Sequence, residues 1–310
     1  QQRILLEVGY EGLHGAGLLR SRLVESNVAV YVGVMNTDFR DALPHVSAYA
    51  MTGTGHCFAA GRISYVLGLH GACEAIDVAC SAALVACHNA RRAVQMHECQ
   101  DALLAGVNMM FVPTTLDGYA EAGLTSPSGK SFVFDARADG FVRGEGCGMG
   151  VLQAAALEAS VLVAGSAVRQ DGRSANLAAP NGRAQQLLLH AVLADATMTP
   201  AQLQLVEAAA NGSALGDPIE AGAIATSLLM PRASSLDALL IGSVKVSMRT
   251  RTYMRLSLCS AAHALAMVPP SPNELTVPCN GPEAAAASCD GSAHEAAATF
   301  HAAATGSANT

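Results

Sequence analysis

Positive charge is nowhere concentrated in this chain. Lys and Arg total 18 against 25 Asp and Glu, for a net charge of -7. The densest basic run, Arg249-Thr250-Arg251 with Arg255, is too short to build the basic face that nucleic acid requires. No apolar run approaches the roughly 20 residues needed to span a bilayer. The nearest, "DALLAGVNMMFVP", has the length and flanks of a buried strand. None of the nine cysteines forms a C-x-x-C pair, which removes the common zinc and redox motifs. Their odd number and their apolar or small-residue surroundings point to thiols in a reducing compartment, cytosol or organelle matrix, without disulfides. The N-terminus carries no signal-peptide pattern: "QQRILLEVGYEGL" reads as an amphipathic helix already under way, so the natural start is expected upstream.

What is present describes a soluble globular protein with a thick core. The chain is 51% hydrophobic and 14% charged, and 310 residues suffice for one large core or two ordinary ones. Apolar runs bounded by Gly, Asp or Ser alternate with helical patterns, the signature of an α/β protein with buried strands. "VAVYVGVM", "EAIDVAC" and "DALLAGVNMMF" read as strands in the first half. "VLVAGSAV", "LQLVEAA" and "DALLIGSVKV" do so in the second. "SAALVACHNARRAVQMH" has helical spacing, with Arg91 and Arg92 off its apolar face. "NGRAQQLLLHAVLADA" is a second helix with Asn181 as its cap. Two halves, 1–159 and 160–280, are expected to meet near Ala156 to Ser160. The alanine-rich tail 281–310 would alone be a marginal helix or disordered; held in place, it must pack on a partner or on the body of the fold.

One junction stands out chemically. In "DVACSAALVACH" a strand ends, Cys80 follows, and a helix begins at once. Unpaired backbone N–H groups and the positive end of the helix dipole favour a thiolate there. A buried cysteine in a small-residue turn is the plainer alternative; the strand–Cys–helix arrangement favours a nucleophile. The other long signals are "GTGHCFAAGRISYVLGLHG" before it and "FDARADGFVRGEGCG", "GSAVRQDGRSANLAAPNG", "ALGDPIEAGAI" and "GSVKV" after it. Each alone is turn chemistry. In this order, from Gln1 to about Lys245, they resemble the β-ketoacyl synthase family, and within it the ketosynthase domains of polyketide synthases.

The resemblance implies a thiolase-like α/β fold, two similar halves in five alternating layers, usually dimeric, with the first strand and the C-terminal segment missing or degenerate here. It implies acyl loading onto a cysteine, decarboxylation of a malonyl-type thioester and Claisen condensation, with no cofactor and no metal. Its partners would be an acyl-carrier protein or acyl thioester and a second copy or a larger complex. Cys80 takes the nucleophile's place, in D-V-A-C-S-A-A-L against a usual D-T-A-C-S-S-S-L. Two histidines should follow, in V-E-A-H-G-T-G-T-x-L-G-D-P-I-E and in S-V-K-x-N-I-G-H. Laid without gaps, Val206, Glu207 and Ala208 match the first motif, as does everything from Leu215 to Glu220, but the histidine falls on Ala209. The second motif keeps Gly242 to Lys245 and then departs, loosely placing Thr250 at its histidine. No histidine lies between His190 and His263. Such histidines donate to the oxygen that becomes an enolate, and removing one such donor costs on the order of a hundred- to a thousand-fold in rate. Loading onto Cys80 depends on them less.

The family's late F-G-x-G-G-T-N-A-H segment has only a faint echo in "CDGSAHEA". His56 or His263 could stand in as a base; for His56 a hydrogen-bonded loop role is the plainer expectation. His97, Glu98 and Cys99 sit at adjacent positions and cannot share a metal. Lys245 is a supporting site residue or simply a lysine closing a strand. Asp217 and Glu220 are expected to hold their loop through backbone hydrogen bonds. Whether the chain is an enzyme stays open between three readings: a condensation-impaired homologue with a structural role, an acyl-thioester handler acting through Cys80, and a competent ketosynthase with replaced partners.

Overall fold

Six consecutive residues, Ala29–Val34, are buried and form the strand around which the sheet is built. A computed structural model describes residues 1–36, 38–45, 47–154, 161–232, 238–243 and 245, with the backbone of two further strands over 263–268 and 296–301. In chain order the helices are α1 (Gln2–Gly15), α2 (Arg20–Leu23), α3 (Ala50–Thr54), α4 (Cys57–Leu67), α5 (Ala82–Gln95), α6 (Pro113–Glu121), α7 (Gly182–Asp195) and α8 (Gly216–Ile224). The strands are β1 (Ala29–Val34), β2 (Cys73–Ile76), β3 (Asp101–Asn108), β4 (Gly146–Gln153), β5 (Val161–Val168), β6 (Leu205–Glu207), β7 (Leu240–Gly242), β8 (His263–Val268) and β9 (Ala296–His301). β1 lies parallel between β2 and β3, and β4 pairs antiparallel with β3. The full order is β2-β1-β3-β4-β9-β5-β8, with β6 and β7 forming a separate parallel pair.

Side chains alternate across β1 with period two. Val30, Val32 and Val34 face a cluster with Leu5, Val8 and Leu13 of α1 and Ala59, Ala60 and Ile63 of α4. Ala29 and Tyr31 face α5 through Ala86, Cys87 and Ala90. β3 repeats the pattern, with Leu103, Ala105 and Val107 on one side and Ala102 and Leu104 on the other. Strands covered on both faces read as continuous apolar runs, which is why these were visible in the sequence. Gly33 lets the start of α5 close onto β1: a methyl there would lie 2.5 Å from the Ala83 nitrogen.

Several expectations need correcting. The strand expected over "EAIDVAC" stops at Ile76, and the residues from Asp77 to Cys80 make a turn instead. The helix expected through "MHECQ" ends at Gln95, where His97 takes φ 57 and stops further helical winding. Arg91, expected off the apolar face, is instead 2% exposed and turned onto β5 of the same sheet. Its guanidinium donates to the Val163 and Ala164 carbonyls and pairs with Asp195 at 2.6 Å. In the alanine-rich tail, 296–301 is neither helix nor free coil but β9, laid between β4 and β5. A strand paired on both sides satisfies its backbone without needing large side chains. The expected meeting point at 156–160, Thr250, and the tail residues 281–295 and 302–310 lie outside the described residues. Among the described residues no helix is long and apolar enough to cross a membrane.

Candidate active site

Cys80 sits at a tight elbow between β2 and α5, and it is exposed. Ala79, just before it, has φ 54, a left-handed conformation that costs a residue with a Cβ roughly 1–2 kcal/mol. The elbow is held locally. The Asp77 carboxylate accepts from the Ala79 N–H at 3.2 Å, and the Ser81 hydroxyl donates back to the Val78 carbonyl at 2.8 Å. Because Ser81 turns its hydroxyl that way, α5 begins without a side-chain cap. The positive end of the helix dipole is therefore left facing the segment that carries the thiol.

Topology brings a second loop to the same edge. β1, β2 and β3 are parallel, so Asn36, Cys80 and Asn108 follow or close their C-terminal ends. Asn36 Nδ2 donates to Asn108 Oδ1 at 2.8 Å, pinning two of those ends together. β4 starts at that edge, and the segment leading into it carries Phe134 and Gly140. The Gly140 N–H donates to the Gly212 carbonyl at 2.9 Å, and the Phe134 N–H donates to Asp217 Oδ2 at 3.0 Å. Gly212 needs to be glycine twice over: its φ is 73, and a methyl would lie 2.8 Å from the Gly140 oxygen.

The loop after β6 is bonded at every backbone N–H from Ala208 to Ser213. Ala208 donates to the Gly242 carbonyl at 2.8 Å. Ala209 and Ala210 donate to the two oxygens of Glu220 at 2.7 and 2.8 Å. Asn211, Gly212 and Ser213 donate to Asp217 at 3.1 Å each. Burial pushes the Glu220 carboxyl above the ordinary carboxylate range, against the pull of its two N–H donors and of Lys245. Asp217 is 4% exposed and is used entirely as an acceptor of backbone bonds. The reading of these two carboxylates as loop holders is what the structure displays. Between them they fix Ala209, whose side chain is a buried methyl.

Lys245 belongs to this loop: its ammonium donates to the Ala209 carbonyl and to the Asn211 side-chain oxygen. The Nε2 of His56 is buried with no hydrogen-bond partner among the described residues, so the expected hydrogen-bonded role is not what its ring displays. His263 opens β8. The sequence reading missed Phe134, at φ 50, and Gly140 as the clamp between the segment leading into β4 and the loop after β6. The glycine in "ADGF" was the available signal, since it marks a close backbone approach.

Residues 1–157 match the family model "Beta-ketoacyl synthase, N-terminal domain", and residues 161–268 match "Beta-ketoacyl synthase, C-terminal domain". The chain belongs to the β-ketoacyl synthase family. It is 41% identical over 258 residues to one of the phenolphthiocerol/phthiocerol polyketide synthase subunits of Mycobacterium tuberculosis, covering 80% of this chain and 14% of that one. To another of that synthase's subunits, from Mycobacterium bovis, it is 38% identical over 257 residues, covering 80% and 14%. Among solved structures it is similar to the ketosynthase from module 6 of the bacillaene synthase of Bacillus subtilis, with a TM-score of 0.71 and 33% identity, covering 79% of this chain and 44% of that one. An oxazolomycin ketosynthase domain from Streptomyces albus gives 0.72 and 31%, with coverage of 79% and 44%. The fold is thiolase-like, and the family is the polyketide-synthase type of ketosynthase. The chain spans 14% of the length of these curated relatives, which are subunits of polyketide synthases.

Proposed function

We propose that this chain is a ketosynthase frame that no longer condenses, serving a structural role within a larger polyketide-synthase-type assembly. The observation that carries the reading is the loop at Ala209. Its backbone is held by Glu220, Asp217 and Lys245, while the position that the family motif gives to a histidine presents a methyl group. A methyl group donates no hydrogen bond, so an enolate forming beside it loses a stabilising donor; one such donor is worth on the order of a hundred- to a thousand-fold in rate. Loss of a second donor at the other motif would add to this without being simply multiplicative.

A second reading is favoured by the elbow. Cys80 is exposed just before the first turn of α5, where the positive end of the helix dipole favours a thiolate and a thioester oxyanion. In that reading Cys80 accepts an acyl group, with departure of the carrier thiol, and passes it on without chain extension. Intact-mass measurement after incubation with an acyl thioester, alongside carbon dioxide release from a malonyl thioester, separates the two. The structural reading expects neither signal. An adduct abolished by Cys80→Ala, without carbon dioxide, favours acyl handling. Carbon dioxide release dependent on Cys80 would overturn both and restore the competent enzyme.

A further inference from the structure

A cavity of about 350 Å³, at the small end of ligand pockets, opens beside α5 and is lined by His88, Arg92, Ser166, Arg169 and Asp195. Its walls come from α5, β5 and α7 and the residue after β5. Asp195 is its only acid, and both oxygens are engaged. Oδ2 accepts from Arg91 Nη1 at 2.6 Å and from the Ser166 N–H at 2.9 Å, and Oδ1 accepts from Arg92 Nη2 at 2.8 Å. Arg91, locked in place by the Val163 and Ala164 carbonyls, shares that carboxylate with Arg92. With Arg169 they outnumber the one acid, so positive charge is in surplus here on a protein whose net charge is -7. Arg92 also reaches Gln95, and Arg169 donates to the Val168 carbonyl; both are solvent-facing at the mouth.

His88 completes the donor set. Ser166 Oγ lies 2.8 Å from His88 Nδ1 and 3.4 Å from Arg91 Nη1. Arg91 can only donate, so the hydroxyl accepts from it and keeps a proton available for Nδ1. In the tautomer that accepts this proton, His88 carries its hydrogen on Nε2. Burial and the neighbouring guanidiniums hold its pKa below the ordinary value.

We infer that this cavity binds a phosphate-type oxyanion, held by Arg92, Arg169 and the His88 Nε2–H. Two surplus guanidiniums match a group carrying nearly two negative charges, as a phosphate monoester does near neutrality, better than a single carboxylate. Inorganic phosphate and a phosphorylated small molecule share that chemistry. The inference stands apart from the reading of Cys80 and Ala209.

The test is calorimetric titration of the purified chain at low salt with inorganic phosphate and with glycerol 3-phosphate. Saturable one-site binding is expected, weakened roughly tenfold in Arg169→Gln, the effect of one charge-assisted hydrogen bond. Arg169→Lys should lose less, since it keeps the charge, and Arg137→Gln, outside the cavity, should lose nothing. Tighter binding of the monoester identifies an esterified phosphate as the occupant, and tighter binding of the free ion identifies phosphate itself. Absence of saturable binding, or equal binding by wild type and Arg169→Gln, overturns the proposal. Arg169 is exposed, so the variant is expected to unfold at the same temperature as wild type.

Discussion

Two places in this molecule turn a strand into a helix beside the candidate site, and they are built in opposite ways. At the elbow from β2 to α5, the exposed thiol of Cys80 is present. Its frame is thin: a left-handed Ala79, two local hydrogen bonds and the close approach that Gly33 permits. In the loop from β6 to α8, the frame is over-built. One buried and one half-buried carboxylate and a lysine hold five consecutive residues, 209–213, and Ala209 among them offers a methyl. Holding a loop in place and supplying a side chain at its centre are separate physical tasks. Backbone N–H groups bind Glu220 and Asp217 whatever side chain sits at 209, so the loop keeps its shape without help from that side chain.

The contrast can be tested from its heaviest member downward. Asp217→Asn turns an NH2 group against backbone donors that both carboxylate oxygens now accept, and should destabilise the chain by about 3 kcal/mol in urea unfolding. A value near zero would mean the loop is not held as described. Gly33→Ala forces a methyl against the Ala83 backbone and should cost about 2 kcal/mol, felt at the elbow rather than the loop. Ala79→Gly relieves the left-handed strain and should stabilise by roughly 1 kcal/mol by the same assay.

The smallest effect is a pH slope. Glu220 is raised in the folded chain, so between the ordinary carboxylate value and its folded value the native state holds more protons than the unfolded one. Stability should therefore fall as pH rises through that window, and Glu220→Gln should remove this part of the slope. Urea unfolding at a series of pH values reads both.

The loop frame was legible in the sequence because carboxylates placed just after a glycine-broken turn have few other tasks than to cap nearby backbone. β1 and β3 were legible because burial on both faces makes them uniformly apolar. Arg91 was not: helical spacing sorts apolar from polar positions, but it does not reveal that β5 carbonyls and Asp195 of α7 close over a charged one. β9 was not legible either, since an alanine run carries no period-two pattern and its pairing with β4 and β5 is set by distant neighbours. The elbow was placed at the right residue, yet Ala79 taking a left-handed backbone has no signature in "DVACSAAL", where glycine would have announced it.

The most direct measurement is product analysis of the purified chain given an acyl thioester and a malonyl thioester together. With a methyl at position 209, no β-ketoacyl product is expected above a Cys80→Ala control. A β-ketoacyl product that appears with wild type and disappears with that substitution would contradict the loss of condensation.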